Sequence, residues 1–101
     1  MALDTVAKDD AKHYPIVVVQ DRYTGVYSRG LWIAISNATR QHGSTSRCAF
    51  ALSDDDSLIG PHGDDGSAMW FWENPPDWIA VGDTPDEAVK NLIAGVRPPR
   101  R

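Results

Sequence analysis

Three histidines, fourteen carboxylates and one cysteine are this chain's stock of metal-binding, acid–base and nucleophilic groups. Their spacing limits what they can do. His62 with Asp64 and Asp65 offers ligand types for a cation. His13 and His42 lie in unrelated polar segments, though, and a transition-metal site needs further nitrogen or thiolate ligands. The acidic run also misses the calcium-loop pattern, which requires glycine at its sixth position and glutamate at its twelfth. Counted from Asp54 those positions hold Ile59 and Asp65, and counted from Asp55 they hold Gly60 and Gly66. Cys48 reads as a small buried hydrophobe. No phosphate-binding glycine loop, dinucleotide fingerprint or serine-nucleophile turn occurs. The expectation is a protein without metal, cofactor or catalytic residues, which acts by binding.

The aromatic residues are more informative. Trp70, Phe71, Trp72 and Trp78 crowd into one short segment, directly after the glycine-rich acidic stretch 53–67. Three tryptophans this close cannot all face inward, because alternate side chains of a strand point to opposite sides. At least one is expected at the surface, where an aromatic beside glycines and acids suits a ligand pocket or a protein hot spot. Tyr23, Tyr27 and Arg29 come from a second turn-rich segment. The candidate binding residues are therefore Asp54, Asp55, Asp56, His62, Asp64, Asp65, Trp70, Trp72, Tyr23, Tyr27 and Arg29.

The net charge of −4 conceals a separation of charge. Most of the acids fall between Asp54 and Glu87, and no Lys or Arg falls between Arg47 and Lys90. That segment is unsuited to a nucleic-acid backbone and suits a basic partner surface or mimicry of a polyanion. The commoner role of such charge is a solvated surface. No apolar run is long enough to span a bilayer, and the N-terminus has no secretory core. A soluble cytoplasmic protein is expected, in the host cytoplasm if the chain is phage-encoded, with self-association open.

These groups must be positioned by one core, since 101 residues suffice for one domain. Residues 1–13 read as a flexible arm, 14–95 as a single α+β domain and 96–101 as a loose tail. Strands are expected at 15–19, 31–35, 48–52 and 78–81, the first two as an antiparallel hairpin with a long connection. Residues 37–47 and 53–67 read as loops, and 68–72 as a strand or a helical turn. The firmest element is a helix over 84–95: Thr84 as cap, Pro85 at its first position, Glu87 completing a capping box and Gly95 as the stop. The expected fold is a small antiparallel β-sheet of four or five strands with this helix packed on one face.

Two resemblances add a biological pointer. Val81 to Val89 with Asn91-Leu92, together with Tyr14 to Val18, resembles HicB-type antitoxin domains. That likeness implies a truncated RNase H-like sheet and a module that blocks an RNase toxin. Ile16 to Val19, Tyr23, Gly25 and Gly30 to Ala34 resemble the opening of small phage and mobile-element anti-defence proteins. These include the ArdA-like antirestriction and anti-Thoeris types, with anti-CRISPR proteins sharing only size and acidity. This second likeness implies a stoichiometric inhibitor of a host defence protein, or a sponge for a nucleotide immune signal. In the sponge, Arg22, Arg29 and Arg97 would hold phosphate, and Tyr27 or Trp72 would stack on the base.

Overall fold

A computed structural model describes residues 13–54 and 59–98. Along these residues run β1 (Val17–Gln20), β2 (Trp32–Ile35), β3 (Gln41–His42), β4 (Thr45–Ser46), α1 (Arg47–Leu52), α2 (Asp65–Glu73), β5 (Ile79–Gly82) and α3 (Pro85–Ala94). The five strands are shared between a three-stranded sheet, order β1-β2-β5, and a two-stranded ribbon, β3-β4. Every pairing is antiparallel. The fold is thus mixed α+β with the C-terminal helix on the sheet. None of the described helices is long and apolar enough to cross a membrane.

Strand alternation divides the sheet into two faces. Val18, Ala34 and Ala80 form one cross-strand row, and α3 covers it with Ala88, Val89 and Leu92. Small residues in that row let the helix approach closely. A side chain at Gly82 would strike the backbone nitrogen of Ala88 and come within 2.8 Å of the Glu87 carbonyl carbon. The helix ends follow the sequence pattern. Thr84 Oγ1 accepts from Glu87 N at 3.1 Å, Glu87 Oε1 accepts from Asp83 N at 3.0 Å, and Gly95 closes the helix at φ 77°. Asn91 Nδ2 also donates to Val81 O at 2.8 Å, which ties α3 to the edge strand β5.

The rows Val19–Ile33–Val81 and Val17–Ile35–Ile79 form the other face. It carries the larger core, completed by Ala38, Ala51, Ala68, Phe71 and Trp72. Two expectations fail here. Residues 48–52 are a helix, not a strand. Alternation over five residues does not separate the two states, and Ser46 decides it by accepting from Ala49 N at 3.1 Å as a helix cap. The loop expected over 53–67 ends early: α2 takes in 68–72 as the helical alternative and begins at Asp65, because Asp64 Oδ1 accepts from Ser67 N at 2.8 Å.

Of the segments expected as arm and tail, the described residues His13 and 96–98 contact the rest of the fold. His13 O accepts from Asn37 N, and His13 Nδ1 lies 2.9 Å from Ser36 Oγ. At the other end Arg97 Nη2 donates to Pro75 O at 2.7 Å and Pro98 is buried. The rest of the arm and tail, 1–12 and 99–101, lies outside the described residues.

Candidate functional site

Because 68–72 is helical, successive side chains step by about 100°, so Trp70 and Trp72 point about 200° apart. Trp72 turns to the sheet and is 1% exposed, whereas Trp70 is 66% exposed. Trp72 is therefore a core residue and cannot meet a partner directly; its indole N–H has no hydrogen-bond partner among the described residues. Trp70 stands at the mouth of an open cavity of about 560 Å³, with Ile59, His42, Phe50, Trp78 and Arg97 among its lining residues. The β3-β4 ribbon turns at Gly43 (φ 60°) and brings His42 against Phe50 and Trp78, with ring centroids 4.4 and 5.4 Å apart. The Arg97–Pro75 bond holds the chain end beside the same cavity.

Trp78 and Asp77 are shared with a second concavity of about 490 Å³, which His13, Ser36, Asn37, Arg40 and Arg47 complete. The Arg47 guanidinium lies 4.9 Å from the Trp78 ring centroid, within cation–π range, and Nη1 donates to Ser36 O at 2.9 Å. Burial lowers the Arg47 pKa, the nearby charge of Arg40 lowers it further, and Asp77 opposes both. Of the residues at this aromatic–basic end, Trp70 alone is among the candidates from sequence. Phe50 and Trp78 come from segments expected as strands, His42, Arg40 and Arg47 from one expected as a loop, and tertiary packing brings them together.

At the other end, the connection between β1 and β2 is organised by Asp21, which is buried. Its carboxylate accepts from Tyr23 N at 3.1 Å, Gly25 N at 2.8 Å and Ser28 Oγ at 2.6 Å. His62 is buried beside it, 4.0 Å away, and His62 Nε2 accepts from Arg22 N at 3.1 Å. The acceptor nitrogen must be unprotonated, so the ring is neutral with its proton on Nδ1. Burial is the main cause lowering the His62 pKa, with Asp21 opposing and Arg22 assisting. Arg22 Nη1 donates to His62 O and Gly63 O at 2.7 and 3.2 Å, and the Tyr23 hydroxyl donates to Gly63 O. Serine, aspartate and histidine meet here, but Ser28 bonds the carboxylate and all three are buried. The arrangement is a clasp between residues 21–30 and 60–63.

The candidate residues are thus distributed among different roles. His62 and Tyr23 belong to the clasp, with Tyr27 edge-on to Tyr23 at 5.2 Å. Asp64 caps α2 and its pKa is lowered, first by the bond from Ser67 N. Asp54 and Asp65 are exposed, as is Arg29, which holds φ 71° and borders a different small concavity. Asp55 and Asp56 lie outside the described residues. Of the tryptophans between 70 and 78, only Trp70 is mostly exposed.

Comparison with family models, with curated proteins and with solved structures returned no match. The functional reading rests on the geometry of the chain itself.

Proposed function

We propose that this chain is a non-enzymatic binding protein that engages a protein partner stoichiometrically through the aromatic cavity, in the manner of a small phage-type anti-defence inhibitor. The observation that carries the reading is Trp70. A tryptophan 66% exposed at the mouth of a cavity lined by Phe50, His42 and Trp78, with an Ile59 that is 60% exposed in the same lining, is costly to leave in water. Aromatic anchors beside a pocket are what protein hot spots are made of. Leu52 and Met69, on α1 and α2, add exposed apolar surface to the same layer.

The nucleotide-sponge alternative has less support. Arg22 and Arg97 donate to backbone carbonyls, Arg29 borders another concavity, and Trp72 is buried. The groups that a sponge would use do not converge. The acids contribute at one end only: exposed Asp54 and Asp65 steer a basic part of the partner toward the groove. The host defence system is the partner class named by the sequence likeness.

The test is a panel of defence systems challenged with phage in cells that express the chain. Wild-type protein should restore plaquing against one system and Trp70→Ala should not, at equal protein level. Inhibition by purified protein should saturate at one equivalent of the target. Continued turnover of a target well below one equivalent would remove the non-enzymatic reading. Equal activity of Trp70→Ala would remove the aromatic site.

A further inference from the structure

Arg40 and Arg47 enter the same concavity, and neither has a carboxylate within salt-bridge reach among the described residues. Two guanidiniums side by side repel, and the effect of Arg40 on Arg47 records that repulsion. Asp77 lines the concavity but only partly offsets it. Arg47 is also held in place, by the Ser36 carbonyl on one side and the Trp78 ring on the other. A fixed guanidinium loses little conformational freedom when it binds an anion, and its fork matches a carboxylate. The wall that it rests on, Trp78, is also the wall of the aromatic cavity.

From this juxtaposition we infer that the partner binds through a short segment that seats an apolar side chain in the aromatic cavity and, next to it, presents an Asp or Glu carboxylate to Arg40 and Arg47. The inference rests on the protein-binding reading above and specifies the chemistry of its ligand. A peptide carboxylate fits better than a nucleotide phosphate for two reasons. Trp78 is crowded as a stacking platform: Arg47 lies over its ring, and the rings of His42 and Phe50 stand steeply inclined to it, with centroids 5.4 and 6.2 Å away. Asp77 on the shared wall repels a polyphosphate more strongly than a single carboxylate.

The experiment selects binders from a displayed library of random short peptides against the intact protein, the Trp70→Ala variant and the Arg40→Glu variant. Arg40 is exposed and makes no side-chain hydrogen bond among the described residues, so its replacement leaves the fold in place. The expected wild-type binders combine an aromatic or aliphatic residue with a nearby Asp or Glu. Arg40→Glu should weaken such a peptide by about tenfold or more and turn the selection away from acids. Adenosine triphosphate and inorganic phosphate serve as competitors and should displace little. Binders that need Trp70 but show no preference for acids, or that ignore Arg40→Glu, overturn the inference and leave the protein-binding reading standing. No Trp70-dependent binders at all overturn both. Tight nucleotide binding that depends on Arg40, without peptide binding, replaces the inference with a small anionic ligand.

Discussion

The two faces of the sheet are built differently. On one, Ala34, Ala80 and Gly82 let a regular, capped helix lie directly on the strands, and Leu92 and Val89 of the helix pack with Ile16, Val18 and Trp32. On the other, two short helices, a ribbon of two two-residue strands and a clasped loop cover large aliphatic residues with aromatic rings. The close-packed face brings helix and sheet backbones together at Gly82. The irregular face leaves the aromatic and basic concavities open, because rings carried on short elements do not tile a surface. Both faces carry core, but only the aromatic side carries the proposed binding site, and separate perturbations can test that contrast.

The largest effect is expected from Leu92→Asp, which places a charge under α3. It should cost on the order of several kcal/mol and abolish cooperative unfolding, as followed by circular dichroism in denaturant. A folded, cooperative variant would show that α3 is not docked as described. Next comes the clasp. Asp21→Ala strands the Tyr23 and Gly25 N–H groups and leaves the Ser28 hydroxyl with Gly30 alone, and should cost about 3 kcal/mol, read as a lowered denaturation midpoint. Retention of full stability would mean that the connection is held by its glycines and not by Asp21.

A smaller effect should follow pH. Burial lowers the pKa of His62 in the folded state below its ordinary value of 6.5. Above that value both states are neutral at His62 and its contribution is fully present. As pH falls below it, the unfolded chain binds the proton first and stability declines. The slope is at most about 1.4 kcal/mol per pH unit, until the folded ring also protonates. Unfolding free energies measured between about pH 8 and pH 5 should show this decline, and His62→Gln should remove most of it. An identical pH profile in the variant would place the titration elsewhere. The smallest stability change belongs to Trp70→Ala. With its side chain mostly in water, it should alter unfolding by only about 0.5 kcal/mol while removing partner binding. A loss of several kcal/mol would make Trp70 part of the core and erase the contrast between the faces.

Local signals along the chain determined much of this protein. Thr84, Pro85, Glu87 and Gly95 specify both ends of α3 because a cap is satisfied by neighbours in sequence. The β-branched run at 17–19 and the alternation at 32–35 specify a hairpin whose faces are sorted by side-chain parity. The same local reading took 48–52 for a strand and treated 53–67 as one acidic loop, because five residues of mixed pattern carry too little periodicity and a cap such as Ser46 or Asp64 is modest in energy. Tertiary structure alone decided that Trp72 is buried and Trp70 exposed, that His62 closes a clasp with Asp21, and that Arg40 and Arg47 share a wall with the aromatic cavity. Each depends on contacts between residues far apart in sequence, whose approach is set by packing against the sheet and leaves no mark in local spacing.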